Sequence, residues 1–316
     1  WVTIQIGCDN TCTYCIVPSV RGKEISRPFS DIVDEVAALA RDGVTEISLL
    51  GQNVNSFGRD LSLAARRDGD NDVKLRPQFA ELLRAVGAVD GIRRVRYTSP
   101  HPNDFSDRVI AAMAEVPTVC EHIHLPMQSG STSMLKKMLR RYSREDYLAC
   151  VERMRAAIPG LALTTDIIVG FPSETDEEFA DTLSLCQEVR FDDAFMFKFS
   201  PREGTPATRM PAEWTIPDEL VATRFEFLLK TVRGISRENN LRRLGDTVEV
   251  LIEKIARDGQ LLQARSRDFK TIMVPADAGA IGDYLTVKLT GTTGATFVGT
   301  PVVEQTERKP LPMMAG

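Results

Sequence analysis

Three cysteines, Cys8, Cys12 and Cys15, lie within eight residues near the start of the chain. The whole chain has six cysteines in 316 residues, which is too few for a disulfide-stabilised scaffold. The N-terminus has no basic region ahead of an apolar stretch, so no secretory signal is visible. In such a chain, crowded cysteines indicate metal ligation. Three thiolates this close can hold three irons of an iron–sulfur cube, because these irons take soft sulfur ligands.

The cysteine loop has no fourth cysteine nearby, although a ferredoxin-type run supplies one. One iron is then open to a ligand from outside the protein, which is typical of a catalytic cluster rather than an electron carrier. The alternative is a zinc site with three cysteines and one histidine. The chain's histidines, His101, His122 and His124, are all distant in sequence. We therefore expect Cys8, Cys12 and Cys15 to be the metal ligands and the catalytic centre.

The remaining cysteines are Cys120, Cys150 and Cys186, and they are spaced too widely for a second cluster. Cys150 and Cys186 fall in helical patterns with apolar neighbours, where buried structural cysteine is the usual state. We assign these three residues no ligand role.

The elements that must position the cysteine loop alternate between short apolar runs and amphipathic stretches. The predicted strands are 2–7, 45–50, 94–98, 122–125, 163–169 and 194–199. The predicted helices are 31–41, 79–86, 107–114, 144–157, 177–189 and 218–239. Capping residues predict two of the helix starts, at Ser30 and Ser143. Repeated strand–helix units imply a parallel sheet covered by helices, and six units favour an open partial (β/α)6 barrel of TIM type over a complete one.

The domain organisation follows from a change of pattern near residue 241. Residues 1–240 form the α/β core, and active sites in such folds lie at the carboxyl ends of the strands, where the cysteine loop falls. Residues 241–305 contain short β-rich runs joined by Gly and Asp turns, which predict a small antiparallel barrel of about five strands. We predict a disordered tail at 306–316. The polar stretch 59–77 predicts a long surface loop.

Composition limits the function classes. Hydrophobic residues make up 43% and charged residues 26%, which excludes a disordered, collagen-like or coiled-coil chain. The mean hydropathy is −0.15, and no apolar run approaches the ~18 residues that a membrane span needs. The net charge is −5, so no global positive field indicates nucleic-acid binding.

Several motifs together carry a resemblance to a known family. CDNTCTYC resembles the radical S-adenosylmethionine (SAM) signature Cys-x3-Cys-x-aromatic-Cys, with Tyr14 as the aromatic residue. The continuation to Pro28 is similar to the tRNA methylthiotransferases of the MiaB type. Further motifs of that branch occur in order: LLGQNVNSFG (49–58), TSPHP (98–102), HLPMQSGS (124–131), TDIIVGFPSET (165–175) and SPREGTPA (200–207). The β-rich segment 241–305 resembles the family's RNA-binding TRAM module, an OB-like barrel.

The resemblance implies the chemistry and the partners. A [4Fe-4S] cluster is expected to bind SAM, and one electron from a donor such as flavodoxin or ferredoxin then splits SAM into methionine and a 5′-deoxyadenosyl radical. The implied product is a methylthio group at C2 of an isopentenylated adenosine beside the tRNA anticodon. Because the chain begins at Trp1, we interpret it as a fragment whose upstream domain holds a second cluster. We expect a cytoplasmic monomer without a membrane partner.

The resemblance also implies cofactor-binding residues beyond the cysteines. Gly51 and Gln52 end the second strand, where this superfamily contacts the amino group of SAM. Ordinary turn chemistry is the alternative for such Gly, Ser and Gln positions. The other residues that we expect to hold the cofactor are Tyr14, Gln128, Ser129, Asp166 and Gly170.

RNA contact is expected from two basic groups. Arg141 belongs to a basic stretch at 136–144, for which a solvated helix face is the alternative. In the small barrel, Arg265, Arg267 and Lys270 form the local basic cluster. Two departures from the family pattern are Ser173, where glycine is usual, and the insertion that begins at Arg59. Two other functions remain open: methylthiolation of a ribosomal-protein aspartate, and a non-catalytic iron–sulfur or RNA-binding role.

Overall fold

The computed structural model describes residues 1–70, 74–257 and 259–302. The chain divides into two compact units, Trp1–Asn239 and Asn240–Gly316. The predicted disordered tail at 306–316 lies outside the described residues. Among the helices that the structure describes, none has both the length and the apolar character needed to cross a membrane.

The first unit contains eight strands and most of the helices within its described residues. Its strands are β1 (Val2–Thr3), β2 (Gln5–Ile6), β3 (Ile25–Ser26), β4 (Glu46–Leu50), β5 (Arg94–Tyr97), β6 (His122–His124), β7 (Ala162–Val169) and β8 (Asp193–Lys198). Its helices are α1 (Val17–Arg21), α2 (Phe29–Arg41), α3 (Arg59–Arg67), α4 (Phe79–Gly87), α5 (Asp107–Glu115), α6 (Thr132–Lys137), α7 (Arg144–Ala157), α8 (Asp176–Val189) and α9 (Asp218–Arg242), the last of which runs across the division. Short 3-10 helices occupy Val54–Ser56, Pro102–Asp104, Pro206–Arg209 and Ala212–Trp214.

Parallel pairing organises this unit. The order β1-β4-β5 forms one sheet and β6-β7-β8 another, and every pair within them is parallel. A parallel bridge between Val95 and Val119 continues the pairing beyond β5. With helices between successive strands, this arrangement confirms the predicted α/β class with a partial parallel barrel.

The two faces of the parallel strands differ in polarity. Along β7, Leu163, Thr165 and Ile167 are fully buried, and they alternate with the half-buried Thr164 and Asp166. The buried set packs into the main apolar core with residues of the covering helices. Because side chains of a strand alternate between its faces, the polar set faces the inside of the barrel. A polar inner face is where a bound ligand finds hydrogen-bond partners.

The first predicted strand, 2–7, is wrong as a single element. β1 pairs with β4, whereas β2 pairs antiparallel with β3. The exchange happens at Ile4, whose N–H donates to the carbonyl of Leu50 at 2.9 Å while its own carbonyl accepts from Arg27 at 2.9 Å. Periodicity does not reveal such a change of partner, because both halves remain extended.

The predicted helix starts have mixed outcomes. Ser143 forms a capping box with Asp146 at the start of α7, as predicted. Ser30 does not cap α2, which begins at Phe29 directly after Pro28, and its hydroxyl bonds Asp31 instead. Thr175 forms a second capping box, with Glu178, that the sequence analysis did not assign.

The predicted loop at 59–77 is wrong over its first half, which is the helix α3. Leu, Ala and Arg are good helix formers, and their propensity prevails over the polar composition. The helix is also anchored, because the hydroxyl of Ser62 donates to the carbonyls of Gly58 at 2.8 Å and Arg76 at 3.0 Å. Asp60 accepts a hydrogen bond from the N–H of Ser26 at 2.8 Å.

The second unit is a closed five-stranded barrel of order β10-β11-β13-β12-β9, among its described residues. Its strands are β9 (Thr247–Ile255), β10 (Leu261–Ser266), β11 (Thr271–Pro275), β12 (Tyr284–Thr292) and β13 (Phe297–Pro301). The prediction of a small barrel is confirmed, but its purely antiparallel form is wrong, because β11 and β13 pair in parallel. This one parallel pair closes the barrel, as in OB-like topologies.

Two glycines of the barrel test how tightly it is packed. A Cβ at Gly299 would lie 2.7 Å from Ile272 Cγ2, whereas a Cβ at Gly291 would meet Val298 at an ordinary 3.8 Å. We expect Gly299→Ala to destabilise the barrel by about 1–3 kcal/mol through overpacking. Gly291→Ala is the matched control and is expected to be neutral or to stabilise by up to about 1 kcal/mol. Urea unfolding measures both, and equal effects of the two substitutions would contradict this packing.

Candidate functional site

The cysteine loop begins with a glycine that the fold requires. Gly7 has φ 78°, and a Cβ there would lie 2.0 Å from the carbonyl oxygen of Lys23. Only glycine allows this close approach and this left-handed conformation together. The next residue, Cys8, donates its N–H to the carbonyl of Gly22 at 3.2 Å. The conformation of Gly7 and the hydrogen bond of Cys8 therefore fix the direction in which the loop leaves β2, and with it the position of Cys8.

The middle of the loop is tied to two other segments of the unit. The N–H of Thr13 donates to Met138 at 3.1 Å, and its hydroxyl donates to the carbonyl of Lys137 at 3.1 Å. The carbonyl of Thr13 accepts from the N–H of Ala207 at 2.8 Å. Cys15 donates its N–H to the carbonyl of Cys12 at 3.1 Å, so the last two cysteines share one turn.

The thiols lie in surroundings that disfavour uncompensated negative charge. Burial raises the pKa of Cys8 and of Cys15, and negative charge on neighbouring cysteines raises the pKa of each further. Arg140 supplies the compensating cation, since its Nη1 lies 3.3 Å from the buried Cys12 Sγ. Thiols grouped in this way become thiolates when cationic iron is bound.

This donor set fits a cluster better than a single ion. Within the described residues, no three His, Cys, Asp or Glu side chains lie close enough to hold one metal ion. Each thiolate of an iron–sulfur cluster binds its own iron, so the three sulfurs need not converge on one point. The lack of a compact three-residue group therefore does not argue against a cluster held by Cys8, Cys12 and Cys15.

Unused acceptors surround the carboxyl end of β4. Gln52 Oε1, Asn53 Oδ1 and Gln5 Oε1 are buried and have no hydrogen-bond partner among the described residues. Gln5 lies against Gly51, where a Cβ would come within 2.8 Å of Gln5 Cγ, and it donates to the carbonyl of Asn53 at 2.7 Å. Buried acceptors without donors are costly, so this group fits a ligand that brings N–H donors, such as the ammonium of an amino acid.

Two of the sequence motifs hold each other in place, which the sequence analysis missed. Asn53 Nδ2 donates to Asp104 Oδ2 at 2.8 Å, and Asn55 Nδ2 donates to the carbonyl of His101 at 2.9 Å. Arg59 also pairs with Asp104 at 2.7 Å. Burial and the nearby Arg140 lower the pKa of His101 to about 3, so this imidazole is neutral. The segments 49–58 and 98–102 therefore act as one network.

Gln128 and Ser129 are fixed mainly by backbone contacts. Gln128 adopts φ 64°, and it pairs with β7 through its N–H to Asp166 at 2.8 Å and through its carbonyl from Ile168 at 2.9 Å. The hydroxyl of Ser129 bonds Thr182 of α8 at 3.2 Å. The contacts of Gln128 are thus made by its backbone, whereas Ser129 is engaged with a helix through its side chain.

The bend after β7 depends on a buried ion pair. Gly170 has φ 75°, and a Cβ there would lie 2.6 Å from Val221 Cγ2. Its N–H donates to Glu174 Oε2 at 3.0 Å, and the same oxygen accepts from Arg224 Nη1 at 2.9 Å. The side chains of Glu174 and Arg224 are 1% and 5% exposed. The sequence analysis predicted neither residue. Of the two, only Glu174 lies in one of the motifs, FPSET.

Aromatic rings connect the cysteine loop to this bend. Tyr14 meets Phe171 edge to face with ring centroids 6.3 Å apart, and Phe171 meets Phe199 at 5.1 Å. Phe171 is fully buried in a small apolar cluster. The structure thus brings Tyr14 and Gly170 to one region, although they are far apart in sequence.

Ser173 occupies a position that favours glycine. Its φ is 63°, in the left-handed region, and its hydroxyl oxygen is buried without a partner in the part of the chain that the structure describes. This explains physically why glycine suits the position, because glycine adopts that conformation without steric strain.

The basic residues proposed for RNA contact have different surroundings. Arg141 is exposed, but its neighbours Lys137 and Arg144 pair with Glu178 at 3.0 Å and Glu188 at 2.8 Å. In the barrel, Arg265 pairs with Glu253 at 3.1 Å and lies 4.6 Å from the ring of Phe269. Lys270 is buried and Arg267 is half-buried. The structure does not bring Arg265, Arg267 and Lys270 together as an exposed basic patch.

Comparison with known proteins identifies the family of this chain. The model of the radical SAM superfamily matches residues 2–186, and the chain belongs to that superfamily. Its members bind a [4Fe-4S] cluster and S-adenosylmethionine.

Curated relatives match almost the whole chain. A tRNA-2-methylthio-N(6)-dimethylallyladenosine synthase of Acetivibrio thermocellus is 48% identical over 92% of this chain and 58% of its own length. The corresponding protein of Acidothermus cellulolyticus is 47% identical over 92% of this chain and 56% of its own length. The chain therefore spans little more than half the length of these relatives. Among solved structures, a radical S-adenosylmethionine methyltransferase from Kitasatospora setae superposes with a TM-score of 0.49, at 18% identity, over 67% of this chain and 39% of that one.

The buried ion pair at the bend gives a pH-dependent prediction. Arg224→Met leaves Glu174 buried without its cation, and we expect a loss of about 3–5 kcal/mol at neutral pH. Burial already raises the pKa of Glu174, and removing Arg224 raises it further. A raised carboxyl pKa means that the folded state binds the proton more tightly, so the loss shrinks as pH falls through that pKa.

The measurement is urea unfolding at about pH 8 and about pH 5, and the loss of unfolding free energy is expected to be smaller at the lower pH. The double variant Arg224→Met/Glu174→Gln is the control, because it removes the buried charge and is expected to recover most of the loss. A loss that is equal at both pH values, or no recovery in the double variant, would contradict the assignment.

Proposed function

We propose that this chain is the catalytic part of a tRNA methylthiotransferase. Its substrate is an adenosine beside the anticodon that carries an N6-isopentenyl (dimethylallyl) group, and the product carries a methylthio group at C2. The observation that carries the reaction class is the three-thiol loop after β2, which hydrogen bonds tie to the segments that follow the parallel strands β6 and β8. The substrate is supported by relatives of 46–48% identity over 92% of the chain, all of which are named for this modification.

The residues of the site have distinct roles in this reaction. Cys8, Cys12 and Cys15 hold the cluster. When bound, the cluster and SAM together supply the one-electron chemistry that activates a C–H bond of adenine. Arg140 donates to the sulfur of Cys12 and compensates its charge. The unused acceptors around Gln52 receive the amino group of SAM, and Gln128 and Gly170 line the same end of the barrel.

The surroundings of the site protect its reaction from water. The packed rings of Tyr14, Phe171 and Phe199 cover the side where the cysteine loop meets the bend. A radical reaction needs such a wall, because water and stray hydrogen donors would otherwise quench it. The residues around the cluster therefore both hold it and exclude solvent.

The reaction also needs partners beyond the residues of this chain. A second cluster belongs to a part of the protein outside this chain, since Cys120, Cys150 and Cys186 are buried and widely spaced in sequence. A flavodoxin or ferredoxin supplies the electron to a cytoplasmic monomer. The C-terminal barrel acts as a TRAM module on the tRNA, and Arg141 contributes a further phosphate contact. The ribosomal-protein aspartate is not favoured, because the curated relatives are named for tRNA.

The cluster assignment predicts the iron content. Anaerobic reconstitution of residues 1–316 is expected to give about four irons per chain and the visible absorption of a [4Fe-4S] cluster. The variant with Cys8, Cys12 and Cys15 all changed to Ala is expected to bind none, whereas Cys120→Ala, a buried cysteine outside the loop, keeps its iron. Iron retained by the triple variant and lost from Cys120→Ala would contradict the assignment.

The function itself predicts a nucleoside profile. Transfer RNA from a strain that lacks the protein is expected to accumulate isopentenyladenosine and to lose its 2-methylthio derivative, as measured by mass spectrometry of tRNA digests. The full-length gene is expected to restore the derivative, and the same gene with Cys12→Ala is not. An unchanged profile in the deletion strain would reject this substrate.

A further inference from the structure

β8 exposes two large aromatic side chains on the inner face of the barrel. Phe195 is 58% exposed and Phe197 is 51% exposed. The alternate residues of the strand face the other way: Ala194 is buried, and Met196 packs against the core. Phe195 and Phe197 are two residues apart, so they project from the same face of the strand. Strands of parallel sheets are usually covered on both faces, and exposed aromatic pairs there mark a binding surface.

A carboxylate and an imidazole lie beside these rings. Phe195 is the register partner of Asp166 on β7. His124 meets the ring of Phe195 with centroids 5.6 Å apart, and its Nε2 lies 3.2 Å from Asp166 Oδ1. The other ring nitrogen of His124 bonds the hydroxyl of Thr164 at 3.0 Å. Both nitrogens of His124 are therefore engaged, and the imidazole holds the carboxylate in one orientation.

Asp166 keeps one oxygen available. Its side chain is 27% exposed, and Oδ2 has no hydrogen-bond partner among the residues that the structure describes. An ionised carboxylate is an acceptor only, so a ligand that satisfies this oxygen must bring an N–H or O–H donor. The inner face thus presents a flat apolar surface with one oriented acceptor at its side.

We propose that Phe195 and Phe197 form the stacking surface for the substrate adenine and its N6-dimethylallyl group, and that Asp166 accepts the remaining N6–H. This inference rests on the proposed function. Unstacked RNA bases bind by stacking on aromatic side chains and by hydrogen bonds at their edges. The branched apolar group on N6 adds surface that aromatic rings cover well. Asp166 then faces the substrate, a different role from the cofactor contact that the sequence motif implied.

The chemistry of the face selects this occupant over two others. A phosphate would be repelled by the carboxylate of Asp166, so the RNA backbone does not fit here. An apolar segment from another part of a longer protein would cover the two rings but would leave Asp166 Oδ2 buried without a donor. A base with one N–H at its edge satisfies both parts of the surface.

The experiment measures RNA binding by the full-length reconstituted protein. Fluorescence anisotropy with anticodon stem-loops carrying N6-dimethylallyl adenosine gives the affinity. Phe195→Ala and Phe197→Ala are each expected to weaken binding about tenfold, a value within the range for one base stacked on one ring. Phe227→Ala is the matched control, because this phenylalanine is as exposed (59%) but lies on the helix α9 rather than on a strand. It is expected to bind like the wild type.

A second RNA tests Asp166. A stem-loop with purine riboside at the target position lacks the N6–H, and we expect the wild type to bind it more weakly than the same RNA with adenosine. Asp166→Ala is expected to lose this discrimination, while an Asp166 that contacts only the cofactor would leave it intact.

The possible outcomes separate the two proposals. If the wild type binds neither stem-loop, the proposed function fails. If it binds the modified RNA and the Phe195→Ala and Phe197→Ala variants match Phe227→Ala, the function stands and the stacking surface is rejected in favour of a covering protein segment.

Discussion

The contact of the buried Arg140 with the cysteine loop ties together several segments of the first unit. Burial opposes ionisation of Cys8 and Cys15, and each ionised neighbour opposes it further. Arg140 provides the protein's own cation at this point, 3.3 Å from Cys12. A guanidinium buried there requires its own hydrogen-bond acceptors, so the segments around it are constrained as well.

Arg140 connects the cysteine loop to the loop after β6. Its Nε donates to the hydroxyl of Tyr142 at 3.0 Å, and that hydroxyl donates to the carbonyl of Met127 at 3.0 Å. Thr13 reaches the same region through Lys137 and Met138. The position of Gln128, next to Met127, is therefore coupled to the position of Cys12 through a few short polar contacts.

The inner face of the barrel differs between its two sheets: it is charged on β4 and β5, and partly aromatic on β7 and β8. Glu46 balances Arg96 at 3.1 Å and the fully buried Arg94 at 3.6 Å, so charge on β4 and β5 is compensated within the protein. On β7 and β8, by contrast, Asp166 and the two exposed phenylalanines leave an acceptor and apolar surface unsatisfied. In our proposal a ligand completes the second region, whereas the charges of the first are paired with each other.

The sequence by itself determined the local elements and the cysteine chemistry. Alternating and helical periodicities predicted five of the six parallel strands and the bounds of α7, but merged the first, β1, with β2. The spacing of Cys8, Cys12 and Cys15 indicated three cluster ligands, because such signals are carried by neighbours in the chain. Contacts across long sequence distances were decided only by the tertiary structure. Three such contacts are the exchange of strand partners at Ile4, the pairing of Arg224 with Glu174 and the contact of Arg140 with Cys12. In each of them, the sequence patterns of the two joined segments give no sign that the segments meet. Each contact depends on which surfaces the packing of the fold brings together, and local sequence propensities do not contain that information.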